Sequence, residues 1–144
     1  MRALADVNIL LALGDPLHSS SPRVSKWFDS LPAGSELLVC RSTQTSLLRL
    51  LATSAVMQGK PLSLKKAWNH VDALISAPGI GFAKEPEGID KTWKGLCQPF
   101  PASPKVVADA YLAAFAIENG VSLATLDSGF RQFAGVRIVE ALFD

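Results

Sequence analysis

Ser103-Pro104-Lys105-Val106-Val107-Ala108-Asp109-Ala110-Tyr111-Leu112-Ala113-Ala114-Phe115-Ala116-Ile117-Glu118-Asn119-Gly120-Val121-Ser122-Leu123-Ala124-Thr125-Leu126-Asp127 holds a helix, its stop signal and a strand in one stretch. Serine before proline is an N-cap with proline at the first helical position. Val106, Val107, Ala110, Tyr111, Ala114 and Phe115 recur at helical spacing and predict a buried face. Gly120 supplies the stop, because glycine tolerates the left-handed conformation that ends a helix. Val121 to Leu126 then predicts a strand that delivers Asp127 at its far end.

The same alternation extends outward. Arg2 to Ala5 predicts a short buried strand ending at Asp6 and Asn8, after which Ile9 to Leu13 turns into a helix. Gly14-Asp15-Pro16 breaks that helix, and Ser21-Pro22 starts another through Trp27 and Phe28. Leu31 to Gly34 is a turn. Glu36 to Cys40 predicts a second strand, and Ser42 caps a helix carrying Gln44 in its first turn and Leu47, Leu48, Leu50 and Leu51 on its apolar face. Ser63 caps a helix with Ala67, Trp68, Val71, Leu74 and Ile75, ended by Ala77-Pro78-Gly79. Ile80 to Ala83 predicts a short strand, Ile89, Trp93 and Leu96 an amphipathic helix, and Val136 to Val139 a last strand. Strands alternating with helices imply parallel β-α-β units with helices on both sheet faces. In such sheets sites form beyond the carboxyl ends of the strands, so Asp6 and Asp127 share one edge and Asp109 reaches it from a helix side.

Length and composition bound the rest. The 144 residues, 49% hydrophobic, suit a single domain over 1–144. The apolar runs fall short of the roughly 20 residues that span a bilayer, and Asp6 and Asn8 interrupt the first of them, so neither a membrane span nor a secretory leader is expected. A cytoplasmic location follows. Cys40 and Cys97 lack metal-ligand spacing and read as reduced packing residues. A net charge of +1 excludes a strongly basic nucleic-acid wrapper. The local groups Arg23 with Lys26, Arg41 with Arg49, and Lys60 with Lys65 and Lys66 read as solvated faces more readily than as phosphate contacts.

Three carboxylates side by side raise each other's pKa unless a cation compensates them, and hard oxygen donors suit Mg²⁺ or Mn²⁺. Such a centre lowers the pKa of a water and orients it against a phosphate, so phosphodiester hydrolysis fits. An aspartyl-nucleophile phosphatase fits less well, because Asp6-Val7-Asn8 lacks the second carboxylate which that chemistry uses as acid.

Five stretches carry a family resemblance: Ala5 to Leu13, Asp15 to His18, Cys40 to Leu51, Ser103 to Ala116, and Ala124 to Phe130. In this order, over nearly the whole chain, the sequence resembles a PIN-domain ribonuclease of the VapC toxin type. The resemblance implies an α/β fold, a three-layer α/β/α sandwich with a central, mainly parallel sheet. It further implies a Mg²⁺- or Mn²⁺-dependent endoribonuclease toxin acting on RNA, a cognate VapB-like antitoxin, and a homodimer. Asp6, Asp109 and Asp127 match the family's acidic metal-binding positions, and Asn8 and Thr125 the polar residues beside them. Gln44 stands where the family commonly has a glutamate, offering an oxygen but no charge. The alternative is a weakened or inactive PIN-like module that binds RNA or protein. Lys105, Ser128 and Arg131 are candidate RNA contacts. Glu36 reads as surface, His18 and His70 as packing or surface, and Trp27, Trp68 and Trp93 as core.

Overall fold

In the computed structural model, which describes residues 1–143, four short strands form one parallel sheet. They are β1 (Arg2–Ala5), β2 (Glu36–Val39), β3 (Ile80–Phe82) and β4 (Ser122–Ala124), in the order β3-β2-β1-β4. Ala3 of β1 stands beside Leu37 of β2 and Ser122 of β4, and Leu37 stands beside Ile80 of β3. Parallel neighbours require crossovers, which six helices provide: α1 (Val7–Gly14), α2 (Ser21–Asp29), α3 (Arg41–Leu51), α4 (Leu64–Ile75), α5 (Ile89–Cys97) and α6 (Pro104–Glu118).

Alternation along each strand divides the core into two layers. Ala3, Ala5, Leu37, Val39 and Ala124 face α1 to α4, meeting Ile9, Leu10, Val24, Leu47 and Val71. Leu4, Leu38 and Leu123 face the other way, against Ile89, Ala113 and Phe115 of α5 and α6 and against Phe130. The strands are apolar on both sides because both sides are covered. Each large side chain excluded from water, such as Leu4 or Phe115, contributes about 1.5–3 kcal/mol. The three-layer α/β/α sandwich with a parallel sheet is therefore as expected.

Several boundaries differ from expectation. The strand expected over Val121–Leu126 shortens to Ser122–Ala124. The last strand, Val136–Val139, is reduced to one parallel bridge, Ile138 beside Leu123, with Leu123 N–H on Arg137 O and Leu123 O taking Val139 N–H. The chain turns away at Glu140–Phe143 before a ladder can build. Helix α3 begins at Arg41, before Ser42, because Thr43 Oγ1 accepts from the Cys40 backbone N–H at 3.2 Å and donates to Cys40 O at 3.1 Å. Ser103 is extended and precedes Pro104 as read, yet its hydroxyl makes no capping bond, whereas Ser63 caps α4 through Lys66 N–H. Helix α6 buries Leu112, Ala113 and Ala116 beside the expected Ala110, Ala114 and Phe115, while Val107 is exposed. Its closing glycine, Gly120, has φ +64°, the conformation read from the sequence. Of the tryptophans read as core, Trp27 is buried but Trp68 is exposed.

The strand order creates the crevice. From β1 the chain steps to β2 and β3 on one side, then returns to β4 on the other side of β1. The connections after β1 and β4 therefore part in opposite directions, opening a cleft at their carboxyl ends. Among the described residues no helix is long and apolar enough to cross a membrane.

Candidate functional site

Asp6 is the first residue after β1 and the N-cap of α1. Its Oδ1 accepts from the Val7 backbone N–H at 2.7 Å, and its own N–H bonds Ala124 O at 2.9 Å, tying it to β4. Oδ2 accepts from the hydroxyl of Thr125 at 2.8 Å. Thr125 is wholly buried, one residue beyond β4, and its oxygen also accepts the Asp127 N–H at 3.0 Å. One hydroxyl thus ties both strand ends together.

Asp127 caps a 3-10 turn, Ser128–Gln132, through Oδ1 to Gly129 N–H at 2.8 Å. A side chain at 129 would meet that oxygen, since a Cβ there would lie 2.9 Å from it. Glycine at this position is thus a condition of the Asp127 geometry. Asp109 enters from α6, one turn after Lys105. The Lys105 ammonium donates to Asp109 and, at 2.9 Å, to Oδ2 of Asp127. Lys105 was expected to meet phosphate, not to link two carboxylates. The i,i+4 spacing of Lys105 and Asp109 was the only sequence signal of that contact.

The electrostatics record the convergence. Burial pushes the Asp6 carboxyl above its ordinary value; the Thr125 and Val7 hydrogen bonds oppose this, and the charges of Asp109 and Asp127 push the same way as burial. Asp127 is held low, first by Lys105 and then by Gly129 N–H. Lys105 is held high by the two aspartates. Asp6 therefore feels the charges of Asp109 and Asp127, which lie far from it in sequence.

The remaining candidates divide. Asn8 is exposed in the first turn of α1, and Ser128 is exposed directly after Asp127. Gln44 is buried in the first turn of α3, where its Oε1 accepts from the Arg41 guanidinium; the two also border a hollow with Asp72 and Phe82. Arg131 is turned to Glu140 at 2.6 Å and lies over the Phe143 ring, an arrangement that engages the group expected to meet RNA. Glu36 sits at the amino end of β2, paired with Arg2, and so belongs to the opposite edge. Tyr111 and Trp93, read from spacing as buried, have polar partners that spacing did not supply: Tyr111 donates to Glu85 at 2.9 Å, and Trp93 donates to Val107 O at 2.9 Å.

The donors suit a hard cation: carboxylate oxygens, with a positive group already drawn between two of them. Among the described residues no three acidic, histidine or cysteine side chains stand as a closed ligand shell. Asp6 is turned to Thr125 and Val7, and Lys105 lies between the other two.

Over residues 3–136 the sequence matches the model of the PIN domain. This chain belongs to the PIN-domain family. Among relatives of this PIN domain, Ribonuclease VapC41 of Mycobacterium tuberculosis is 37% identical over 139 residues, covering 94% of this chain and 95% of the relative. Ribonuclease VapC25 of the same organism is 32% identical over 136 residues, covering 93% and 94%. Among solved structures, VapBC-1 of nontypeable Haemophilus influenzae shares the fold with a TM-score of 0.71 at 14% identity, covering 96% of each chain. VapBC2 of Rickettsia felis, bound to a promoter DNA fragment, does so with a TM-score of 0.70 at 12% identity, covering 96% of this PIN domain and 97% of that chain.

Proposed function

We propose that this PIN domain is a Mg²⁺- or Mn²⁺-dependent endoribonuclease toxin of the cytoplasm, restrained by a VapB-like antitoxin. The observation that carries the reading is the linkage of Asp6 to Asp127 through Thr125, and of Asp127 to Asp109 through Lys105, at the crevice between β1 and β4. The relatives named as ribonucleases support the activity, and the VapBC structures support a protein partner.

The carboxylates of Asp6, Asp109 and Asp127 would hold the cation, which when bound polarises a phosphate oxygen and makes a water acidic enough to attack phosphorus. Thr125 holds the Asp6 carboxylate in one orientation and, through the Asp127 N–H, sets the position of the second strand end. Lys105 is mostly exposed and flexible, so its ammonium can exchange a carboxylate for a non-bridging phosphate oxygen of RNA. Asn8 and Ser128, both exposed, would hydrogen-bond the sugar-phosphate backbone.

Purified protein free of antitoxin, incubated with RNA with and without Mn²⁺ or Mg²⁺, tests the reading. Cleavage is expected only with metal and is lost in Asp109→Asn; an Asp109→Asn protein that cleaves normally overturns the assignment. One observation favours a weakened module instead: the oxygen of Gln44 is already occupied by Arg41. Calorimetry with Mn²⁺ separates the two, since the module binds no metal at millimolar concentration.

A further inference from the structure

Between α5 and α6 lies a hollow of about 510 Å³ bordered by Arg41, Glu85, Trp93, Val107, Ala108 and Tyr111. Arg41 follows the carboxyl end of β2, as Asp6 and Asp127 follow those of β1 and β4, so the hollow lies at the same end of the sheet. A second hollow, of about 230 Å³, continues it past Arg41, Glu85 and Tyr111 toward Phe82 at the end of β3. Together they form a trough along the carboxyl edge, with Arg41 at its junction.

The walls suit a flat aromatic ring. Trp93 and Tyr111 meet edge to face, with centroids 5.1 Å apart. Both polar handles are engaged, the indole N–H on Val107 O and the phenol on Glu85 Oε1, so neither ring is free to turn. Val107, 51% exposed, and Ala108 add apolar surface from the exposed first turns of α6. The other oxygen of Glu85 is bonded to no described residue. It is an acceptor with no proton to give. Arg41, held over the Phe82 ring, supplies positive charge between the two hollows.

We propose that this hollow receives an unpaired base of the RNA next to the scissile phosphate, stacked on Trp93, with Glu85 selecting guanine. The inference rests on the ribonuclease reading above. Single-stranded RNA is read by stacking on aromatic side chains and by hydrogen bonds to the base edge. A carboxylate accepts only, so it favours an edge with adjacent donors. Guanine presents N1–H and the N2 amino group side by side. Adenine and cytosine each set an acceptor beside the amino group, and uracil flanks its N3–H with two carbonyls. An apolar peptide is the competing occupant, but it leaves the spare acceptor of Glu85 and the guanidinium of Arg41 unused.

Two measurements test the proposal. Cut sites are mapped on a mixed-sequence RNA with Mn²⁺ for the wild type, Glu85→Gln and Trp93→Phe. The wild type is expected to prefer guanine next to the cut by about tenfold or more, as one good base-edge pair discriminates. Glu85→Gln, which exchanges an acceptor for a donor, should lose most of that preference while still cutting the RNA. A wild type without guanine preference, or a Glu85→Gln protein that retains it, overturns the proposal. Separately, the intact protein without metal is titrated with GMP, AMP, CMP and UMP while tryptophan fluorescence is followed. Quenching should occur at the lowest concentration with GMP and disappear in Trp93→Phe. Equal quenching by all four nucleotides, or quenching by an apolar peptide and not by GMP, also overturns it. Selective GMP quenching in a protein that cuts no RNA supports the pocket and refutes the ribonuclease reading; cutting with an unchanged preference in Glu85→Gln does the reverse.

Discussion

Replacing Thr125 with valine removes one oxygen from the junction of the two strand ends and keeps the shape of the side chain. Thr125 is fully buried; its hydroxyl donates to Asp6 Oδ2 at 2.8 Å and accepts from Asp127 N–H at 3.0 Å. A hydrogen bond to a charged acceptor contributes about 1.5–3 kcal/mol, and an orphaned N–H adds up to about 1 kcal/mol where water reaches it only in part. The loss at pH 8 should therefore be about 2–4 kcal/mol, or about 6–12 °C in Tm for a chain of this size. The pH dependence carries the sharper test. The Asp6 carboxyl is already raised above its ordinary value of 3.8 by burial, and Thr125 is the strongest influence opposing that rise. Without the hydroxyl the folded-state pKa moves further up. A group whose folded pKa exceeds its unfolded pKa loses stability as pH rises through the interval between them. The deficit of Thr125→Val should thus be smaller at pH 4 than at pH 8, because protonation of Asp6 leaves only a neutral hydrogen bond, about 1 kcal/mol, to lose. Urea denaturation at both pH values measures it, with Thr125→Ser as a control that keeps the hydroxyl. A deficit that is equal at pH 4 and pH 8, or absent at pH 8, would refute the Thr125-to-Asp6 linkage.

Asp6→Asn keeps an N-cap and removes a buried charge, so it should abolish metal-dependent cleavage yet raise stability at pH 8 by about 1 kcal/mol, a gain that fades as the wild-type Asp6 protonates at low pH. Urea titrations across pH measure the gain; a less stable variant at pH 8 would count against a strained Asp6. Lys105→Met should tighten Mn²⁺ binding about tenfold by calorimetry, because the ammonium that bonds Asp109 and Asp127 would compete with a dication for the same oxygens and repel it. Unchanged affinity would show that Lys105 swings clear without hindrance. Gln44→Glu should raise Mn²⁺ affinity only modestly, since the Arg41 guanidinium that already bonds residue 44 would pair with the new charge. The double variant with Arg41→Met should bind more tightly than Gln44→Glu alone, and equal affinities would exclude that neutralisation.

Local patterning in the sequence determined the alternation of strands and helices and the parallel sheet, and it put Asp6 and Asp127 just past two strand ends. Helix α6 illustrates why: its proline start and its glycine stop are both local conformational signals, satisfied by residues within one or two turns. The Val136–Val139 segment shows where this fails, because one residue bridging β4 depends on what lies beside it and not on its own alternation. The same limit applied to Val107 and Trp68, whose helical spacing matched a buried face that neighbouring elements do not cover. Tertiary structure alone decided the long-range wiring of the site: Thr125 clamps Asp6, and Lys105 reaches Asp127. The contacts of Lys105 with Asp109 and of Arg41 with Gln44 stay within one helical turn. A hydrogen bond acts over about 3 Å, so the contact of Thr125 with Asp6, more than a hundred positions apart, exists only because β1 and β4 pair side by side.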